Sequence, residues 1–89
     1  MNEPGPVSPG EILLKEFLEP ANATPGHLAA ETHIPESEIR ELISGKGRIS
    51  ADTSKRLSAF FGTTPQFWLN LQNRYDLDIH EAERLRQQP

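Results

Sequence analysis

Three dipeptides in which proline follows serine or threonine divide the sequence and constrain its fold more than any other feature. They are Ser8-Pro9, Thr24-Pro25 and Thr64-Pro65. A hydroxyl oxygen at the N-cap can accept a hydrogen bond from a free backbone N–H of the first turn, and proline at the first helical position fixes φ near its helical value. Each dipeptide therefore predicts the start of an α-helix.

Other residues predict where the remaining helix boundaries lie. Ser50 is a further N-cap candidate, because Asp52 follows it and suits the positive end of a helix dipole. The predicted helix ends are at Pro20, His33, Gly45 and Gly62. His33 takes the place of the usual glycine, since histidine is enriched among the non-glycine residues at left-handed φ. The apolar residues at helical spacing are Ile12, Leu13, Phe17 and Leu18; Leu28 and Ala29; Ile39, Leu42 and Ile43; Leu57, Phe60 and Phe61; and Phe67, Trp68, Leu71 and Tyr75.

This pattern predicts an all-α fold, a compact five-helix domain with short turns between its helices. No alternation of apolar and polar residues is long enough to predict a β-strand. We expect a flexible N-terminus at residues 1–7, a folded domain at 8–78 and a C-terminal tail at 79–89.

The composition excludes several classes of protein. The chain has no cysteine, so it offers neither a disulfide framework nor a thiolate metal site. The spacings of His27, His33 and His80 do not form a helical ligand pair, so we predict no metal. Glu36 and Glu41 could suggest acid–base chemistry, but nothing in the sequence supplies a nucleophile, so we predict no enzyme activity and no cofactor. No apolar run could span a bilayer and the N-terminus lacks the features of a signal peptide, so we expect a cytoplasmic protein.

The charge is distributed unevenly along the chain. The net charge is −4, but residues 1–39 carry −6, residues 40–56 carry +3 and residues 57–89 carry −1. Attraction to a phosphate is screened beyond about 8–10 Å at physiological salt, so the local basic segment matters more than the net value. On charge alone an ordinary solvated surface is the favoured interpretation of this segment, and contact with nucleic acid is the alternative.

The segment from Thr24 to Lys46 has the pattern of a helix-turn-helix. Ala29 supplies the small residue that two closely packed helices need, and His33 suits the turn between them. The apolar side chains of Ile34, Ile39 and Leu42 would close the pair. The pattern predicts that the second helix is presented to a DNA major groove, although any helical hairpin has apolar residues at similar offsets.

Three stretches make the sequence resemble a known family. They are Pro9-Gly10-Glu11-Ile12-Leu13, Ile49-Ser50-Ala51-Asp52-Thr53 and Phe67-Trp68-Leu69-Asn70-Leu71-Gln72. Over about residues 8–77 the chain resembles the HigA group of antitoxins within the phage-repressor-like (Xre) helix-turn-helix family. The resemblance implies a lambda-repressor-like fold, repression of the protein's own operon at a palindromic operator, and neutralisation of a RelE-like ribosome-dependent mRNA-cleaving toxin.

The resemblance also implies which residues contact DNA. The base-contacting candidates, which follow Pro35, are Glu36, Ser37, Arg40 and Glu41. Arg40 is the best candidate for guanine, because a guanidinium can donate to O6 and N7 together; the alternative is an i,i+4 ion pair with Glu36. The phosphate-contacting candidates are Thr24, Ser44, Lys46, Arg48 and Lys55.

Two protein interfaces are predicted as well. The fifth helix carries more large apolar side chains than one helix is expected to bury, which predicts a homodimer through Phe67, Trp68, Leu71 and Tyr75. The acidic first helix predicts a toxin-binding surface with anchors at Val7, Ile12 and Leu14 and charges at Glu16 and Glu19. Leu14 lies off the Leu13/Phe17 face, so we expect it to be the more exposed anchor.

Two other functions fit the same sequence. The chain could be a stand-alone transcriptional regulator without a toxin. It could also be a protein-interaction module that has lost DNA binding, which the acidic residues of the second helix of the pair and the net charge of −4 favour. An adjacent gene for a small basic protein would favour the antitoxin over the stand-alone regulator.

Overall fold

The computed structural model describes residues 5–87 and contains five helices and no strand within that range. Helix α1 consists of three consecutive pieces, Pro9–Ile12, Leu13–Leu18 and Glu19–Ala21. The other helices are α2 (Pro25–Thr32), α3 (Glu36–Ile43), α4 (Ala51–Phe61) and α5 (Pro65–Arg86). The predicted all-α, five-helix domain is confirmed.

Hydroxyl caps begin four of these helices. Each side-chain oxygen accepts the backbone N–H three residues ahead, at 3.3 Å for Ser8, 3.1 Å for Thr24, 3.1 Å for Ser50 and 3.2 Å for Thr64. The ends of α2 and α4 also lie where the sequence predicts them, since His33 has φ 63° and Gly62 has φ 75°. The local chemistry of caps and left-handed residues is therefore sufficient to fix most helix boundaries.

Helix α1 is longer than predicted. The expected end before Pro20 is wrong, because the helix continues through Ala21 and ends at Asn22, which has φ 55°. The piece Leu13–Leu18 is a π-helix, in which hydrogen bonds span five residues, and the Glu19 N–H accordingly donates to the Leu14 carbonyl. This wider turn accommodates Pro20, which has no N–H to donate and whose ring would press on the carbonyl four residues before it.

Helix α5 also continues beyond its predicted limit. Residues 79–86, predicted as part of a tail, are helical, and residues 81–86 are exposed on all sides. Ion pairs along the helix accompany this extension, with Arg74 Nε 3.1 Å from Asp78 and Arg84 Nη2 2.6 Å from Glu81. Pairs three or four residues apart stabilise a helix without any apolar contact, so apolar spacing alone does not detect them. Residues 88–89 and 1–4 of the predicted ends lie outside the described range.

One core connects all five helices. Its buried side chains are Leu13, Leu18, Leu28, Ile34, Ile39, Leu42, Ile49, Leu57 and Trp68. Trp68 is fully buried, and its indole N–H donates to Thr63 Oγ1 at 2.8 Å. The assignment of Trp68 to a dimer interface is therefore wrong. Its side chain, the largest in the chain, fills the core of the protomer, which a small domain needs in order to bury enough apolar surface. The rings of Phe17 and Phe67 pack against it at 4.9 and 5.1 Å.

A glycine sets the distance between α1 and α3. A Cβ atom on Gly10 would lie 1.5 Å from the carbonyl oxygen of Leu42 and 2.8 Å from the backbone nitrogen of Ile43. Only a residue without a side chain fits there, so the start of α1 rests directly on the backbone at the end of α3. This contact fixes the direction in which α3 points.

Candidate nucleic-acid interface

Helices α2 and α3 pack against each other. Leu28, Ile39 and Leu42 are buried between them and the rest of the core. In the turn, Thr32 Oγ1 donates to the Leu28 carbonyl at 2.7 Å and accepts the Ile34 N–H at 3.3 Å. The turn thus satisfies its own polar groups, and the pair presents one side of α3 outward.

The outward side of α3 carries all four predicted base-contacting residues. Glu36, Ser37, Arg40 and Glu41 are exposed, whereas Ile39 and Leu42 on the other side are buried. Pro35, which precedes the helix as its N-cap residue, is exposed too. The structure therefore brings these side chains together on one accessible face.

Arg40 is paired with Glu36 in a particular geometry. Its Nε and Nη2 atoms both donate to Glu36 Oε2, at 2.8 and 2.6 Å. These two nitrogens form the side edge of the guanidinium, so the terminal edge, made by Nη1 and the second N–H of Nη2, stays available for two parallel hydrogen bonds. The i,i+4 pair that was the alternative for Arg40 is present and leaves that edge open.

The loop after α3, residues 44–50, is folded back on the end of the helix. Gly45 has φ 86°, and the N–H groups of Lys46 and Gly47 both donate to the Glu41 carbonyl, at 2.9 and 3.1 Å. A Cβ atom on Gly47 would lie 3.1 Å from the Leu42 nitrogen, so the loop is packed tightly on α3. The loop therefore has a defined path between the outer face of α3 and α4.

The predicted phosphate-contacting residues differ in the hydrogen-bond and ion-pair partners that their side chains already have. Lys46 and Lys55 are exposed, and neither forms an ion pair with another residue of the range 5–87. Thr24 Oγ1 caps α2, and Ser44 Oγ donates to the Glu41 carbonyl at 2.8 Å. Arg48 has a partner on another helix and is described next.

Arg48 binds α5. Its Nη1 and Nη2 atoms donate to Asp76 Oδ1 and Oδ2 at 3.0 and 2.8 Å. Gln72 Nε2 donates to the same carboxylate at 3.0 Å, and the hydrogen bonds from Arg48 and Gln72 lower the pKa of Asp76. Sequence reasoning gave no role to Asp76 or Gln72, because no local pattern reports a contact across 28 residues.

Known proteins are similar to this chain in sequence and in fold. The model of a helix-turn-helix family matches residues 14–68. Virulence-associated protein I of Dichelobacter nodosus is 40% identical over 83 residues, which are 93% of this chain and 77% of that protein. Antitoxin HigA-1 of Vibrio cholerae is 43% identical over 72 residues, 81% of this chain and 68% of that protein. The structure of Pseudomonas aeruginosa antitoxin HigA with the higBA promoter has a TM-score of 0.86 at 36% identity and covers 92% of this chain and 89% of that one.

The chain belongs to the helix-turn-helix family. Its similarity to proteins named HigA antitoxins confirms the predicted HigA-type group within that family. Family membership also confirms that the chain is not an enzyme, because these helix-turn-helix proteins are non-catalytic regulators.

The predicted toxin-binding residues of this helix-turn-helix protein lie in two environments. Val7 is exposed and Ile12 half-buried, and with Leu71 of α5 they line a cleft of about 440 Å³. Leu14 is half-buried against the core, so the expectation that it is the more exposed anchor is wrong: Val7 is. Glu16 and Glu19 are exposed.

Helix α5 of the helix-turn-helix domain exposes apolar surface even though Trp68 is buried in the core. Phe67 is exposed, and Leu71 and Tyr75 are half-buried. Further along the helix, Leu77 is 60% and Leu85 56% exposed. Sequence reasoning did not single out these two leucines, because the apolar set assigned to this helix ended at Tyr75 and the domain was expected to end at residue 78.

Residues 5–87 show neither a metal site nor a membrane span. No group of three or more histidine and acidic side chains in this range is placed to hold a metal ion. No helix of the described range is long and apolar enough to cross a membrane.

Proposed function

We propose that the chain is an antitoxin that represses its own operon by placing α3 in the major groove of an inverted repeat. The observation that carries this is the outer face of α3, where Glu36, Ser37, Arg40 and Glu41 are all accessible and Arg40 has an open terminal edge. The similarity to an antitoxin structure that contains its promoter supports the same function.

Arg40 is the guanine-binding residue in this proposal. Guanine presents O6 and N7 side by side in the major groove, and two parallel N–H donors match them. The terminal edge of Arg40 supplies these donors while Glu36 holds the side edge. Glu36 thus limits the rotation of the Arg40 side chain before DNA arrives, which lowers the entropic cost of ordering it.

Lys46 and Lys55 are the phosphate-binding cations in this proposal, and the hydroxyls of Thr24 and Ser44 are further phosphate contacts. An exposed ammonium can approach a phosphate and release condensed counterions. Such contacts orient α3 on the duplex and carry no base preference.

Two copies of the chain act together, through α5. Phe67, Leu71 and Tyr75 provide the predicted interface, and the exposed Leu77 and Leu85 extend its apolar area. A dimer places two copies of α3 about 34 Å apart, which is one turn of DNA. An inverted repeat then matches the twofold symmetry of the protein.

The toxin-binding surface begins at the N-terminal side of the cleft. Val7 and Ile12 supply apolar anchors there, and Glu16 and Glu19 supply the negative charge that attracts a basic, RNA-binding toxin of the RelE-like kind. Opposite charges accelerate encounter, whereas buried apolar anchors lengthen the life of the complex. Both activities belong to the cytoplasm.

A DNA titration tests the repressor function. Fluorescence anisotropy with the inverted repeat upstream of the protein's own gene, and with a shuffled duplex, should give affinities that differ by about 10³-fold or more. Equal affinities for the two duplexes, or no binding at 50 mM salt, would show that the chain does not recognise an operator.

A measurement of association rates tests the toxin function. Reversal of Glu16 and Glu19 to lysine should slow association with the basic protein encoded by the adjacent gene, more at low salt than at high salt, and leave operator binding nearly unchanged. Stopped-flow association across salt concentrations measures this. An unchanged association rate at low salt would mean that the toxin binds a different surface. If no adjacent gene encodes a small basic protein, the stand-alone regulator is favoured.

One observation favours a second function. Glu36 and Glu41 flank Arg40 on the exposed face, and both would repel nearby phosphates. A protein-interaction module would therefore use the same face for a basic protein partner. Failure of the operator titration at 50 mM salt is the result that this alternative predicts.

A further inference from the structure

We propose that Gln72 and Asp76 of α5 are positioning residues for the loop at residues 44–50, and that Arg48 acts through Asp76 rather than on a DNA phosphate. The effect on DNA rests on the proposed repressor function. The positioning itself does not, because the contacts that carry it lie within the free protein.

The loop is held at both ends. At its start, the Glu41 carbonyl accepts the N–H groups of Lys46 and Gly47. At its end, Gln72 Oε1 accepts the Ile49 N–H at 2.8 Å, and both residues are buried. A buried backbone N–H without this acceptor would lose a hydrogen bond that water cannot replace.

Gln72 and Asp76 form one unit. Gln72 uses its oxygen on the loop and its nitrogen on Asp76, which lies 3.0 Å away and one turn further along α5. The Asp76 carboxylate therefore fixes the amide orientation that presents Oε1 to Ile49. Arg48 completes the unit with two parallel hydrogen bonds to both carboxylate oxygens.

This geometry separates Arg48 from the lysines. The terminal edge of its guanidinium already donates to both Asp76 oxygens, so a phosphate could reach only the side edge, Nε and the second N–H of Nη2, beside a carboxylate that repels it. Lys46, two residues earlier, forms no ion pair within residues 5–87. Lys46 is therefore the residue of the loop that is available to DNA. Arg48 instead connects the loop to α5, the helix proposed for dimerisation.

DNA titrations over a range of salt concentrations test the assignment. The variants are Asp76→Ala, Arg48→Ala and the double variant, with Lys46→Ala as the reference for a phosphate contact. Asp78→Ala is the matched control, because Asp78 lies on the same helix and pairs with Arg74 instead of the loop. Thermal unfolding of every variant checks that the domain is folded.

A positioning role predicts that Asp76→Ala and Arg48→Ala weaken operator binding in the same direction, each by about 3- to 10-fold. The double variant should bind no more weakly than the single variants, because both remove one unit. The salt slope should stay unchanged in all three, whereas Lys46→Ala should reduce its magnitude by about 0.9.

A phosphate role for Arg48 predicts the opposite sign for Asp76→Ala and a changed salt slope for Arg48→Ala. Asp76→Ala would then free Arg48 and strengthen binding, and Arg48→Ala would weaken binding and lower the magnitude of the salt slope by about 0.9. Either result would overturn the assignment of Arg48.

Hydrogen exchange in the free protein tests the positioning without DNA. Asp76→Ala should accelerate exchange of the Ile49 amide by about 3- to 10-fold, and Asp78→Ala should not. If Ile49 exchange is unchanged in Asp76→Ala, the positioning role is wrong, whatever the DNA titration gives. If exchange accelerates but the wild-type protein binds no operator, the proposed repressor function fails and the positioning role stands.

Discussion

The two sides of α3 differ in their burial and in the contacts that they make. The inner side is buried at Ile39 and Leu42, and the backbone of α1 approaches it so closely that Gly10 has no room for a Cβ atom. The outer side is exposed, and the only hydrogen bonds that its own side chains form within the described residues join Arg40 to the neighbouring Glu36.

This contrast separates the position of α3 from its chemistry. Substitutions on the inner side shift or unfold the helix, because close-packed atoms have nowhere to move. Substitutions on the outer side change the groups presented to DNA and leave the core intact. Stability and operator preference should therefore change independently, and the following variants test how completely they do.

The largest effect is expected at Gly10. In Gly10→Ala the new methyl group would overlap the Leu42 carbonyl, which is backbone and cannot rotate away. We expect the free energy of unfolding to fall by about 4–5 kcal/mol or more. Gly26→Ala is the control, since its Cβ would lie 3.4 Å from a Glu36 carboxylate oxygen. Similar urea midpoints for the two variants would contradict the close contact between α1 and α3.

A smaller loss is expected at Ile39. Ile39→Ala leaves a cavity under the middle of α3 and should lower the free energy of unfolding by about 3 kcal/mol, measured by urea unfolding. Ser37→Ala, on the exposed side of the same helix, should change it by less than about 0.5 kcal/mol. Equal losses would mean that the outer side is also packed.

The Glu36→Ala variant tests whether Glu36 orients Arg40 on the outer side of α3. Glu36→Ala removes the acceptor that holds the side edge of Arg40 and should lower the ratio of operator to shuffled-duplex affinity by about 5-fold. Asp52→Ala is the matched control, because it breaks an i,i+4 pair of the same kind, with Arg56 at 2.8 Å on α4. Higher affinity for both duplexes with an unchanged ratio in Glu36→Ala would show that Glu36 only repels DNA phosphates.

The smallest effect concerns the loop and acid pH. Hydrogen bonds from Arg48 and Gln72 lower the pKa of Asp76 from its ordinary 3.8. The contribution of the pair to stability is therefore complete above pH 3.8 and is lost as the pH falls below it, toward the folded-state pKa. Wild-type stability should decline more steeply than that of Asp76→Asn in this range. Parallel thermal-unfolding curves from pH 5 to pH 2.5 would argue against the pair.

Local chemistry could be predicted from the sequence, and long-range contacts could not. The hydroxyl caps, the left-handed His33 and the exposed residues of α3 follow from neighbours in sequence. The burial of Trp68 depends on the rings of Phe17 and Phe67, and the Arg48–Asp76 pair joins two helices. Pro20 misled the prediction because a π-helical turn accommodates it, and no propensity rule reports that turn.

Operator preference in Arg40→Ala tests the central claim most directly, namely that the outer side of α3 provides DNA specificity and the inner side provides stability. Competition titrations with duplexes varied at each operator base pair, together with urea unfolding, give both quantities for one variant. We expect a loss of about 1–3 kcal/mol in operator binding, relaxed preference at one guanine position, and an unfolding free energy within about 0.5 kcal/mol of wild type. Unchanged preference at every base pair would contradict the claim.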